Sequence, residues 1–207
     1  MHGLINRAIE RFIRDTYGRE VWGLVVAKAG LPVSAFEAML SYETHLTVDL
    51  LDGAEQVLDR ARETILEDIG TYLVSHSKLD PLRRLLRFGG VDFVEFLHSL
   101  DELPGRARLA VPDLEIPNLE LGEHGGNIYR LRCDVPTAAG PGFGHVLVGV
   151  LRAMADDYGA LVLLDHMGGG PDVEILQIQL LNEAHSAGKM FDLAAGHGAE
   201  TAEGRPE

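Results

Sequence analysis

Apolar residues recur at helical spacing through the first hundred positions of the chain. Ile5, Ala8, Ile9, Phe12 and Ile13 share one face, and Arg7, Glu10, Arg11 and Arg14 lie largely on the other, which predicts an amphipathic opening helix. A second helix is predicted over 21–28, carrying Trp22 and Val25, and Gly30-Leu31-Pro32 stops it. Ser34 is then a candidate N-cap for a short helix. Segments 48–61 and 63–74 repeat the pattern, with Leu50, Val57, Ile65, Ile69 and Leu73 as core positions. Stretches 81–86 and 91–103 complete a helical half.

The pattern changes at Pro104-Gly105, which is predicted to end the helix, and Pro112 and Pro117 predict an extended crossing segment. Residues 127–133 alternate as a strand, whereas apolar residues recur at three and four over 143–157 and predict a helix. Segments 160–165 and 173–180 flank Met167-Gly168-Gly169-Gly170-Pro171, a strand–turn–strand signature. From about residue 187, Gly, Ala, Glu and Pro dominate and predict a disordered tail over 187–207. The fold class expected is α+β: a helical N-terminal lobe (1–103) packed on an α/β lobe (104–186) with an antiparallel sheet.

Composition narrows the partners. The 207 residues are 46% hydrophobic and 24% charged, an ordinary globular balance. Thirty-two acidic against 18 basic residues give a net charge of −14, which repels phosphate backbones and anionic headgroups. Neither nucleic acid nor a membrane surface is an expected partner. No apolar run approaches the roughly 20 residues of a membrane span. Arg7, Glu10 and Arg11 interrupt any secretory h-region, and the single Cys133 forms no internal disulfide, so a cytoplasmic setting is expected. No Ser/His/Asp or Cys/His order stands out, and Asp165-His166 is a lone pair beside a predicted turn, so the chain is not expected to be an enzyme.

Several short motifs occur in a telling order: Met1-x-Gly3-x-Ile5, Tyr17-Gly18 with Val21-Trp22, Ile69-Gly70-x-Tyr72, Phe96-Leu97-x-x-Leu100-Asp101, then Pro112 and Pro117. In this succession residues 1–183 resemble the H-NOX (HNOB) domain, the heme nitric-oxide/oxygen binding module. The resemblance implies a heme between the two lobes, nitric oxide or another small gas as signal, and a separate histidine kinase or nucleotide cyclase as reader. Resemblance or helix position puts Ile5, Ile9, Pro117, Phe143 and His145 along the cofactor cavity. In the same register, the family's iron-ligating histidine falls on Pro104. The Tyr-x-Ser-x-Arg motif that grips the propionates falls on Cys133-Asp134-Val135-Pro136-Thr137, which has none of its three residues.

Two histidines are candidate substitute ligands. His98 lies six residues before Pro104, which rotates it roughly 240° around a helix, so an exposed outer-face histidine is the competing assignment. His145 sits on the 143–157 helix among Phe143, Val146 and Val150; its competing assignment is a satisfied histidine near the helix N-terminus. Cys133 is either a soft ligand or a small buried hydrophobe. Arg130 and Arg132 flank the missing motif but alternate out of phase with Cys133. The glycine-rich run 138–144 offers either an amide cradle for an anion or a plain loop and cap. Two functional readings follow: a heme-binding gas sensor, or a heme-independent module that takes another hydrophobic ligand or mediates protein interaction, including homodimerisation.

Overall fold

A computed structural model describes residues 1–135, 142–170 and 172–189. The opening amphipathic pattern forms α1 (Gly3–Thr16), capped by the His2 ring, whose Nδ1 accepts from the Leu4 amide at 3.2 Å. α2 (Arg19–Lys28), α3 (Thr44–Leu58) and α4 (Arg62–Ser75) follow. Their apolar faces meet in one cluster that includes Ile9, Phe12, Ile13, Trp22, Val25, Leu50, Ile65 and Ile69.

The short helix expected after Ser34 does not form; residues 31–41 run as turns and irregular backbone. Side chains occupy the backbone groups that such a helix would have used. Glu10, buried despite its place on the expected polar face, accepts from the Phe36 amide at 2.9 Å. Arg7 donates to the Phe36 carbonyl at 3.1 Å and the Trp22 indole to that of Ser34 at 2.9 Å. The loop thereby delivers Phe36, fully buried, into the helical core.

The second cluster is built on a four-stranded antiparallel sheet of order β1-β2-β4-β3. Its strands are β1 (Asn118–Glu123), β2 (Ile128–Asp134), β3 (Leu161–Gly170) and β4 (Val173–Asn182). Strict alternation places Tyr129, Leu131 and Cys133 of β2, with Leu176, Ile178 and Leu180 of β4, on one buried face. α8 (Phe143–Tyr158) covers that face through Leu147, Leu151 and Met154. α5 (Asp80–Arg87) and α6 (Phe93–His98) add Leu86, Phe93, Phe96 and Leu97 to the same cluster.

Two local expectations change here. The helical path does not end at Pro104: a 3-10 turn (Ser99–Glu102) leads into α7 (Leu103–Ala110), with Pro104 in its first turn. The missing proline N–H costs nothing there, because first-turn amides have no intrahelical partner. The glycines 168–170, expected as a turn, instead extend β3 to its pairing with Val173 and Glu174.

The clusters meet where α4 crosses α8. A Cβ on Gly70 would run into the Val146 carbonyl, and one on Gly149 into the Glu67 carbonyl, so backbone rests on backbone. The Thr71 hydroxyl donates across the seam to the Gly149 carbonyl at 3.4 Å. At its C-terminal end, α8 is held by Asp157, 1% exposed, which accepts from Arg83 Nη2 at 2.6 Å and Nε at 3.0 Å. Gly149→Ala should therefore lower unfolding stability in urea by about 1–3 kcal/mol or more. Gly23→Ala, on α2 with nothing within 4 Å of the added methyl, should be neutral or stabilising.

Candidate functional site

Pro104 is buried at the start of α7 and presents no nitrogen that could bind a metal. Arg106 ties α7 back to the preceding turn, donating to the Ser99 carbonyl at 2.8 Å and to its hydroxyl at 3.2 Å. His98 is turned away from the core that Leu97 and Leu100 enter. Its Nε2 lies 3.1 Å from Glu123 Oε1 at the exposed end of β1, and its ring stands edge-on to Tyr129.

His145, the third residue of α8, occupies the seam between lobes. Its Nδ1 lies 3.4 Å from Glu67 Oε1 of α4. Its ring stacks on His166 of β3, with centroids 4.1 Å apart and planes within 13°. His166 Nδ1 accepts from the Gly168 amide at 3.2 Å, which leaves Nε2 as the protonated nitrogen of the neutral ring. That Nε2 is 3.8 Å from Glu174 Oε1 and has no hydrogen-bond partner among the described residues. Glu174 itself caps α8, accepting from the Gly142 amide at 3.2 Å and the Gly144 amide at 2.5 Å. Glu67 also receives Arg152 Nη2 at 2.7 Å.

Two histidines and two carboxylates from α4, α8, β3 and β4 thus converge at one end of the seam. Burial lowers the His166 pKa below 6.5, and its stacked neighbour His145 adds to the depression; Glu174 and Glu67 work in the opposite direction. Among the described residues, no group of three or more His, Cys, Asp and Glu side chains could hold a metal ion.

The remaining candidates are distributed over both cores. Ile9 is 4% exposed within the helical cluster and Ile5 packs partly buried against it. Phe143 packs partly buried against the sheet cluster, and Pro117 is buried just ahead of β1. Cys133 is fully buried, and burial pushes its thiol up to about 12, so it stays protonated at neutral pH. Arg130 and Arg132 are exposed on the opposite face, with Arg132 donating to Asp134 at 2.8 Å. Positions 136–141, which hold the end of the missing motif and most of the glycine-rich run, lie outside the described residues, as does 190–207 of the expected tail. The Gly142 and Gly144 amides, two members of the supposed anion cradle, are already taken by Glu174.

From the sequence, His166 is set aside as half of a lone Asp165-His166 pair, and Glu67 and Glu174 are not picked as site residues. The signal for two of them is period-two alternation: His166 shares a face with Val162 and Leu164, and Glu174 one with Leu176 and Ile178.

A family model described as Haem-NO-binding, HNOB, matches residues 2–165. The chain belongs to this family. Curated relatives include soluble guanylate cyclase gcy-31 of Caenorhabditis elegans, 26% identical over 118 residues that make up 57% of this chain and 17% of that protein. Soluble guanylate cyclase 89Da of Drosophila melanogaster is 19% identical over 162 residues, 76% of this chain and 23% of that protein. The chain therefore spans about a fifth of the length of these curated relatives. Among solved structures, the Fe(II) unliganded H-NOX protein from K. algicida superposes with a TM-score of 0.71 at 18% identity, covering 87% of this chain and 96% of that one. The Fe(II)NO form of the S. oneidensis H-NOX protein gives 0.69 at 18% identity, over 88% and 100%. At these identities the structures carry the H-NOX fold alone.

The depressed His166 pKa makes folding pH-dependent in a definite direction. The folded state binds fewer protons than the unfolded chain below about pH 6.5. This group's effect on stability is nil above that pH, and stability falls as pH drops from about 6.5 through the lowered folded value. His166→Gln should flatten that limb of a melting-temperature profile between pH 8 and 5; an unchanged slope would contradict the assignment.

Proposed function

We propose that this haem-NO-binding chain is the sensory and relay domain of a signalling system. It reports to a separate partner of the histidine kinase or nucleotide cyclase kind, and its signal does not enter through a bond between iron and a protein histidine. Pro104 carries this reading. It takes the family's ligand place in the register set by Phe96-Leu97-x-x-Leu100-Asp101, and it is buried at the start of α7 rather than displaced by a shifted helix.

The residues present do not fit a histidine-ligated heme. His98 directs its nitrogen outward to Glu123, and His145 is engaged with Glu67 and His166 at the seam. Cys133 keeps its proton, and Val135 supplies no cation for a propionate. The relay role is supported by the division into two apolar clusters joined where α4 crosses α8, an arrangement that lets one lobe pivot on the other. We assign the domain to the cytoplasm, in keeping with a lone buried thiol; no helix among the described residues is long and apolar enough to cross a membrane.

A second reading rests on the family match and on the likeness to the Fe(II) H-NOX proteins. In it heme, or another flat apolar ligand, lies against Ile5, Ile9, Pro117 and Phe143, and His145 swings from Glu67 to meet it. The absorption spectrum of protein from a heme-supplemented culture separates the two. The main proposal expects no stoichiometric Soret band, and no band that shifts on reduction and nitric oxide addition. A full-occupancy band that shifts in both steps and is lost in His145→Ala would replace it with the second reading.

A further inference from the structure

A groove of about 580 Å³ opens at one end of the sheet, where the start of β1, the end of β2 and the start of β4 lie side by side. Ladder register sets Asn118 beside Asp134 and Asp134 beside Val173. The groove therefore crosses three strands, about 10 Å at the usual strand spacing. The Val135 amide donates to the Asp172 carbonyl at 2.9 Å, which pins residue 172 to the end of β2. The other wall comes from α7 and the crossing into β1. Ala107 of α7 is buried and Arg108 beside it is exposed. The Leu114 amide donates to the Val111 carbonyl at 3.0 Å in the turn that carries the chain on to Glu115.

The charges along this groove are unevenly matched. Arg132 donates to Asp134 at 2.8 Å, so that pair is close to neutral. Arg108, Glu115 and Asp172 also line the groove, and their side chains make no hydrogen bond or ion pair among the described residues. Ile116, Val135 and Val173 add an apolar lining. One free guanidinium and two free carboxylates match a ligand with one anionic and two cationic groups on an apolar stem. Inorganic phosphate or a dicarboxylate would meet Glu115, Asp134 and Asp172, and a polyamine would leave Arg108 without a partner. A guanidinium takes a carboxylate through two parallel N–H bonds, which gives the anionic end a defined orientation.

We propose that this groove binds a free basic amino acid of the arginine or lysine kind, with its α-carboxylate on Arg108, its two cationic groups on Glu115 and Asp172, and its methylene stem along Ile116, Val135 and Val173. A ligand of net charge +1 is also drawn to a chain of net charge −14. Arg108, Glu115 and Asp172 are exposed, so the affinity is modest, with Kd about 0.1–10 mM, and it weakens with salt. None of these three residues is a candidate heme or iron position, so this proposal and the heme question stand or fall separately.

The test follows amide resonances of the full chain, labelled with nitrogen-15, during titration with L-arginine at constant pH and ionic strength. Amides of Ile116, Asn118, Val135 and Val173 should move together and saturate, and guanidinium chloride should not reproduce the effect. Agmatine, which lacks the carboxylate, and citrulline, which lacks the side-chain cation, should each bind about tenfold more weakly or worse. Arg108→Gln should bring L-arginine down to the affinity of agmatine and leave agmatine no weaker. No saturable shift at these four positions, equal affinity for L-arginine and agmatine in the unaltered chain, or undiminished L-arginine binding by Arg108→Gln would overturn the proposal.

Discussion

The contact of Gly70 with Gly149 is the constraint on which the rest of the molecule depends. The helical cluster and the sheet cluster each bury their own apolar residues, and α4 and α8 are the elements that join them. Only glycine at both positions allows the two helix backbones to touch. That closeness brings Val146 of α8 against the helical cluster and Val74 of α4 into the sheet cluster. Charge fixes α8 in place along this seam. Glu174 sits at its N-terminus, where the helix dipole favours a carboxylate. Asp157 sits near the C-terminus, where the dipole opposes one, and the arginines of α5 offset that cost. The seam is thus defined in position by packing and at both ends by carboxylates.

Much of this was legible in the sequence, and what was not has local causes. Periodicity found α1, α2, α3, α4 and α8 because apolar residues recur at helical spacing along each. Alternation found β2, and two apolar runs flanking a glycine-rich turn signature found the β3–β4 pair. The loop 31–41 misled because its backbone partners, Glu10 and Arg7, lie far earlier in the chain and belong to another element. Pro104 was misjudged as a stop because proline breaks helix interiors but suits their first turn. β1 was missed since Asn118–Glu123 carries few apolar residues and borrows its stability from pairing with β2.

The site divides in the same way. The helix positions of Ile9, Phe143 and His145 were legible because each helix is strongly periodic. The partners of His145 were not, because Glu67 is 78 residues away in sequence and His166 comes from a strand whose glycines suggested a turn. Long-range pairing of titratable groups leaves no trace in local spacing, and only the fold reveals it.

In this account the lobes are tied by the α4–α8 contact and not by a ligand bound to the α6–α7 segment. Hydrogen exchange across the chain, with and without equimolar hemin and nitric oxide, tests this most directly. Amides of α4 and α8 near residues 70 and 149 should be among the slowest in every condition, and those of 93–110 should not change on addition. Strong new protection over 93–110 with hemin, released again by nitric oxide, would contradict the account.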